Sequence, residues 1–416
     1  MDVKANRRNP IRRAPLAVAA ASISAIMLMM TLLYFGVSTQ QERISAYGQI
    51  TPPSQLQQQP GGGQGSTIII NGAGATFPFP LIDTWRVEYQ KVKPNVNVNY
   101  QSIGSGGGIK QFTEKTVDFG ASDAPLTQQE MQALPSTAVH IPETIGSVVA
   151  AYNIAGIDKG LKLTGPVLAD IFSGKIAKWD DPKIKELNPD LQLPSNDIIV
   201  VHRSDGSGTT FIWTNYLSHE SQEWNQTIGA GKSIQWAVGI GAPGNEGVAS
   251  TIKSTPNSIG YVELTYALTT DMDYASLKNK AGNFVEPSLN STQAAAQAAI
   301  TNSTDSTSTN SSNTTGSTIT LPSGDQSWAN VSLLDAPGSD SYPIASFSYL
   351  LLYKELGTNI NSMDKAKALA EFVNWAITDG QQFAPQLHYV PLPASVVQHN
   401  QQTLRSLTFN GQPVLQ

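Results

Sequence analysis

Cysteine is absent from this 416-residue chain. That excludes disulfides, thiolate-bound metals, a cysteine nucleophile and a lipidated cysteine behind a leader. Charge is scarce as well: Asp, Glu, Lys and Arg make up 14% of residues, against roughly a quarter in ordinary soluble domains. Five of the 26 basic residues and one of the 32 acids lie before residue 14, so the rest carries 21 against 31, a net charge of −10. So acidic a body offers no field of Lys and Arg for nucleic acid, and any anion it binds has to be held by a local, desolvated site. Histidine is sparse: the five are His140, His202, His219, His388 and His399, and none falls in a pattern with metal-ligand spacing. No metal or cofactor is expected.

What is present begins at the N-terminus. Lys4, Arg7, Arg8, Arg12 and Arg13 precede 14–37, a nearly continuous apolar run of 24 residues, long enough to cross a bilayer at about 1.5 Å per residue. The basic flank, 1–13, is expected in the cytoplasm and everything after residue 38 outside, at the cell surface. No A-x-A-like site stands directly behind the run, so it reads as a membrane anchor, with a cleaved signal as the alternative. Residues 38–66 include a stretch rich in Pro, Gln and Gly that cannot build a core and reads as a flexible linker.

From residue 67 the chain alternates strand-like and helix-like patterns, the signature of an α/β fold. Leu81, Ile82, Trp85 and Tyr89 recur at helical spacing, and 96–100 alternates like a strand. Ile109 and Phe112 open another helix, and 117–121 reads as a strand ending at Asp123. Further strands are expected at 147–153, 197–202, 258–263 and 345–353, and helices at 165–173, 210–218 and 363–378. A stretch almost entirely of Ser, Thr, Asn and Gly marks a disordered or glycosylated insertion at about 301–325. Sequons begin at Asn225, Asn290, Asn302, Asn310, Asn313 and Asn330, in keeping with an exported glycoprotein.

Four short segments share one chemistry: Gly74-Ala75-Thr76-Phe77-Pro78, Gly104-Ser105-Gly106-Gly107-Gly108, Gly120-Ala121-Ser122-Asp123, and Arg203-Ser204-Asp205-Gly206-Ser207-Gly208-Thr209. Three pair a hydroxyl with glycine or another small residue ahead of a helical pattern, which presents unpaired N–H groups and a positive helix end to an anion. The segment ending in Asp123 adds a carboxylate, which suits only an anion that itself carries a proton; the simplest such oxyanion is phosphate. Each segment also has an ordinary reading. Thr76 could cap its own helix, the glycine run could be a flexible loop lacking any P-loop spacing, Asp123 could cap a helix, and Arg203–Asp205 could be a structural ion pair.

Taken together, NGAGATFPFPLIDTW, YQSIGSGGGIKQFTEKTVDFGASDAPLT, FSGKIAKWDDPKIKELNP, VVHRSDGSGTTFIWTNYL, GIGAPGNEGVAS and SIGYVEL, with the C-terminal SYPIASFSYLLLYKE and FVNWAITDGQQFAPQLHYVPLP, resemble the phosphate-binding proteins of high-affinity phosphate ABC transporters. The resemblance runs from 67 to 416, except for the insertion. It implies a two-lobed periplasmic-binding-protein type II (Venus-flytrap) fold, with 67–143 and 341–416 as lobe I, 144–340 as lobe II, and hinge crossings near 143–147 and 340–345. It further implies that Thr76 and Phe77 supply a hydroxyl and backbone N–H groups, Ser105 a donor, Asp123 the acceptor, and Arg203 the charged donor oriented by Asp205. Ser207, Gly208 and Thr209 are implied as donors at a further helix start. The implied role is a monomeric, non-enzymatic receptor passing inorganic phosphate to an ABC permease.

The chemistry is self-consistent. Many neutral donors can spread an anion's charge with one arginine present, each charged hydrogen bond being worth about 1.5–3 kcal/mol. Asp123 can accept from phosphate, whereas sulfate carries no proton and would leave two buried oxygens facing each other. Three rivals remain: a surface phosphatase with Ser105 or Ser207 as nucleophile, which lacks an adjacent base because His202 should point away from Arg203; a receptor for another oxyanion; and a surface scaffold.

Overall fold

The computed structural model describes residues 67–300 and 319–415. The expected anchor at 14–37, its basic flank and the linker 38–66 lie outside the described residues, as do 301–318 and the sequons at Asn302, Asn310 and Asn313. Among the described residues no helix is long and apolar enough to cross a membrane.

The β-branched run at 68–70 opens β1 (Ile68–Gly74), which pairs in parallel with β2 (Val96–Ser102); in β2 Val96 and Val98 are buried while Asn97 and Asn99 face out. Between them α1 (Phe79–Val92) starts at Pro78 and Pro80, whose fixed φ suits a first turn, and buries Leu81, Ile82, Trp85 and Tyr89 as their spacing predicts. The chain continues through α2 (Ser105–Thr113), β3 (Phe119–Ser122), α3 (Gln128–Ala133), β4 (Ala138–Asn153), α4 (Gly165–Phe172) and β5 (Ile199–Arg203). It goes on through α5 (Gly208–Glu220), β6 (Ile240–Ala242), α6 (Gly244–Ser254), β7 (Ser258–Glu263), β8 (Ala345–Tyr353), α7 (Met363–Ile377) and α8 (Ala394–Arg405). In the core of the first half the Tyr89 ring lies 5.2 Å from both Phe372 and Trp375 of α7, and the Trp85 indole N–H donates to Gly380 O at 2.7 Å.

One sheet runs β2–β1–β3–β8–β4–β7–β5–β6. Its two wings are parallel, β1 with β2 and β3, and β5 with β6 and β7, while β4 and β8 run antiparallel to their neighbours in the middle. The expected α/β sheet is thus mixed. β4 joins the wings: its first part pairs with β8 as far as Ser147, and Val148–Asn153 pair with β7.

Three expectations need correction. The strand expected from 147 begins at Ala138, because β4 is covered on both faces and so lacks polar alternation. Pro142 is tolerated there because the β4–β8 register shifts beside it, Ser348 facing Thr144 and Tyr349 facing Pro142, which leaves Glu143 as the extra residue of a bulge. The insertion ends before 325, since Ile319 N bonds Ala299 O at 3.2 Å and His140 N bonds Gly324 O at 2.8 Å. The run Ser105–Gly108 is the first turn of a helix and not a loop. Sequon residues Asn225, Asn290 and Asn330 are exposed.

Candidate functional site

Parallel strands deliver their carboxyl ends to one place, where ligands of open α/β sheets bind. Thr76 follows β1, Asp123 follows β3, Arg203 ends β5, and Gly244 follows β6. The helices that start there are α2, α5 and α6, and their first N–H groups lack intrahelical partners. The structure brings Thr76, Ser105, Asp123, Arg203, Asp205, Ser207, Gly208 and Thr209 to one place, Ser207 bonding only within its own helix start and to Lys232 O, and all except half-buried Asp205 are buried. Phe77 is also buried, its ring 6.2 Å from Tyr389.

Arg203 enters from the β5 end with its backbone N–H on Tyr261 Oη at 3.1 Å. Its fork is fixed by Asp205, Nε to Oδ1 at 2.7 Å and Nη2 to Oδ2 at 2.5 Å, which leaves Nη1 over Thr209 Oγ1 at 3.4 Å. Burial alone would raise the Asp205 carboxyl, but the arginine outweighs it and holds the group below its ordinary range. Gly104 makes this arrangement possible. Its φ is +82°, and a Cβ there would sit 2.2 Å from Asp205 Oδ2, so only glycine lets the start of α2 approach the Arg203–Asp205 pair.

The hydroxyls share a common state. Ser105 Oγ accepts from Asp123 N at 3.2 Å and from Gly208 N at 3.1 Å. Thr76 Oγ1 accepts from the backbone and side-chain nitrogens of Asn245, at 3.2 and 2.8 Å. Thr209 Oγ1 accepts from Arg203 Nη1 at 3.4 Å and Asn245 Nδ2 at 3.2 Å. A hydroxyl has two lone pairs and one proton, so each of the three has its acceptor capacity filled and can only donate, and Ser105 directs its proton to the Asp123 carboxyl. Ser207 caps α5 by accepting from Thr210 N at 3.0 Å. The Thr76 and Phe77 carbonyls are tied to Tyr266 and Tyr389 at 2.6 Å each, and among the described residues the Phe77 N–H meets no acceptor. Thr76 does not cap α1, whose N-cap is Pro78 with no side-chain bond. Its hydroxyl is drawn to Asn245 instead.

Against these donors stands one acceptor. Asp123 is buried, and Ser348 Oγ lies 2.9 Å from its Oδ1. Burial pushes its carboxyl up to about 7, against the opposing pull of Ser348 and Arg203. The expected alternative of a simple helix cap does not hold: Asp123 Oδ1 lies against Ser348, and α3 is capped by Thr127. The two wings meet directly here, Gly106 N on Gly206 O at 2.8 Å and Lys232 Nζ on Glu130 Oε2 at 2.7 Å.

Among the described residues neither serine named for the phosphatase reading is bonded to a histidine, though Ser105 hydrogen-bonds the Asp123 carboxyl. Ser105 receives backbone N–H groups, Ser207 caps a helix, and the His202 ring stacks on Trp236 at 4.7 Å. Sequence reasoning missed Asn245, Ser348 and Glu143. Asn245 lay inside a quoted motif as the first polar residue after Pro243-Gly244, and Glu143 was the only acid in a long apolar stretch; Ser348 gave no local signal.

Residues 53–379 match the model of the PBP superfamily domain. The phosphate-binding protein PstS of Xylella fastidiosa (strain 9a5c) is 43% identical over 349 residues, covering 83% of this chain and 86% of its own. That of Pasteurella multocida is 46% identical over 330 residues, covering 79% and 88%. The Methanocaldococcus jannaschii protein is 41% identical over 345 residues, covering 80% and 84%. Among solved structures, a high-affinity periplasmic phosphate-binding protein, PfluDING bound with phosphate, superposes with a TM-score of 0.60 at 20% identity over 84% of this chain and 100% of that one. A phosphate-binding protein from Stenotrophomonas maltophilia gives 0.58 at 20% identity over 79% and 92%. Both likenesses establish the fold.

Proposed function

Because the chain belongs to the PBP superfamily and, within it, to the PstS phosphate-binding proteins, we propose that it captures inorganic phosphate at the cluster of Thr76, Phe77, Ser105, Asp123, Arg203, Ser207, Gly208 and Thr209 and delivers it to an ABC permease. One observation carries this reading: three buried hydroxyls with filled acceptor sites converge with one anchored arginine on a single carboxyl acceptor. Such a site matches an anion that accepts many hydrogen bonds and donates one. Phosphate would take over the Gly208 N–H and the Ser105 proton, with the free N–H of Phe77 and the start of α5 adding backbone donors.

In the same reading 67–143 with 341–416, and 144–340, form two lobes that hinge where β4 changes partner and where the chain returns to β8. Ligand contacts from both lobes favour closure, and the closed form is what the permease would recognise. Asp123 discriminates against sulfate, which offers it no proton. The run 14–37 would hold the receptor on the outer face of the membrane, and the exposed Asn225, Asn290 and Asn330 would be open to glycans.

Equilibrium dialysis of the ligand-stripped chain with radiolabelled phosphate tests the proposal. One phosphate per chain, lost in Arg203→Ala, is the expected result; no saturable binding would refute it.

A further inference from the structure

Glu143 is unused by the phosphate site, yet the fold aims it there. It is the extra residue of the β4 bulge, and bulges re-aim side chains. Its carboxyl is fully buried, and its Oε2 meets no partner among the described residues. Its Oε1 lies 3.0 Å from Ser348 Oγ, which on its other side is 2.9 Å from Asp123 Oδ1. A serine hydroxyl has one proton and can donate to only one of these carboxyls. The second contact is a hydrogen bond only if the other carboxyl carries a proton and donates to Oγ. The trio therefore holds at least one carboxylic acid and, when it carries a single carboxyl proton, one acid and one carboxylate.

The surroundings decide which is which. The positive charge of Arg203 acts on Asp123, whereas the charge acting on Glu143 is that of Asp123 itself. Tyr100 faces both carboxyls and stays protonated, its hydroxyl driven well above its ordinary range by burial. Glu263 couples to Asp123 from the end of β7, and burial likewise drives its carboxyl well above the ordinary range. Burial pushes Glu143 to about 8, above Asp123.

We propose that Glu143, kept as a neutral acid, is a positioning residue for phosphate recognition: it donates to Ser348, turns the serine proton onto Asp123, and so fixes Asp123 as an ionised acceptor with one oxygen left for the ligand's proton. This rests on the phosphate reading above. Ionisation of Glu143 removes the donor to Ser348 and sets a second negative charge one hydroxyl away from the anion, so phosphate affinity falls once Glu143 titrates.

The test is calorimetric titration of the full chain with phosphate from pH 6 to pH 9.5, for wild type, Glu143→Gln and Ser348→Ala. The glutamine amide donates to Ser348 as the acid does and cannot ionise. Phosphate's own ionisation affects every variant alike, so the ratio of affinities at each pH is the readout. Glu143→Gln should match wild type within about twofold at pH 6.5 and exceed it about tenfold one pH unit above the Glu143 pKa. Ser348→Ala should bind about ten- to a hundredfold more weakly throughout. A purely structural role would leave the ratio flat with pH; a flat ratio, or wild-type affinity in Ser348→Ala, overturns the proposal. Infrared difference spectroscopy at pH 7.5, between the ranges in which the two carboxyls titrate, locates the proton independently of ligand. A carboxylic-acid C=O band lost in Glu143→Gln and kept in Asp123→Asn supports it, and the reverse pattern overturns it. If wild type binds no phosphate while the band behaves as expected, the phosphate reading is at fault and not the placement of the proton.

Discussion

Replacing Asn245 by aspartate reverses the polarity of the site without changing its shape. The amide orientation is fixed by its partners: Oδ1 accepts from Glu263 N at 3.0 Å, so Nδ2 is the atom facing Thr76 and Thr209 at 2.8 and 3.2 Å. While Nδ2 donates, both hydroxyls keep their protons for a ligand. A carboxylate in its place accepts, and both hydroxyls turn their protons onto it. Two donors to the anion are lost, each worth about 1.5–3 kcal/mol. The sum of about 3–6 kcal/mol corresponds to about 10²- to 10⁴-fold in Kd, and the new charge adds in the same direction. Asn245→Ala leaves the hydroxyls unanchored but still able to donate. It should cost less affinity, about tenfold, and about 1–3 kcal/mol of stability, because the buried Glu263 N–H loses its acceptor. Calorimetric titration with phosphate, accompanied by thermal unfolding to show that each variant is folded, measures both. If Asn245→Asp binds within threefold of wild type, or better than Asn245→Ala, the donor argument is wrong.

Gly104→Ala forces a side chain into a φ of +82° and to 2.2 Å from Asp205 Oδ2. The strain of about 1–2 kcal/mol, with displacement of the fork from Arg203, should lower Tm and weaken phosphate about tenfold in the same titration. Lys232→Met or Glu130→Gln removes a partly buried ion pair joining the two wings at 2.7 Å; stopped-flow release of phosphate should quicken about two- to fivefold, and added salt should do the same to wild type only. Stability should depend on pH through the buried acids. Asp123 and Glu143 are raised in the folded state to about 7 and about 8, so the chain takes up protons on folding. Their contribution is fully present below the ordinary carboxylate range and is lost as pH rises through 7 and 8. Tm of the ligand-free protein should therefore decline across that interval, and the decline should be shallower in Glu143→Gln.

Elements whose residues answer only to their own neighbours in sequence were legible. Leu81, Ile82, Trp85 and Tyr89 announce α1 because a helix buries one stripe, and Val96 and Val98 announce β2 by simple alternation. Ser105–Gly108 misled because glycine disfavours helix locally, while its reason lies across the fold. A Cβ at Gly108 would fall 2.3 Å from Gly74 Cα and one at Gly106 would fall 3.0 Å from Gly206 Cα, so the glycines let α2 lie against two other backbones. β4 misled in the opposite sense, since Pro142 and Glu143 look like a break until the bulge against Ser348 and Tyr349 is seen. The proposed phosphate contacts Thr76, Ser105, Asp123, Arg203, Ser207, Gly208 and Thr209 suggest themselves as donors and acceptor by residue type and neighbours. Their supporting partners do not, because Asn245, Ser348 and Glu143 act on residues 20 to 225 positions away and carry no pattern of their own.

The central claim is that one buried carboxyl acceptor among donors selects a protonated oxyanion, and competition between phosphate and sulfate for the ligand-stripped chain tests it most directly. Wild type should bind phosphate at least about 10⁴-fold more tightly than sulfate. Asp123→Asn, whose amide can donate to either anion, should narrow that gap to about a hundredfold or less. Comparable binding of sulfate by wild type, or an undiminished gap in Asp123→Asn, would contradict the account.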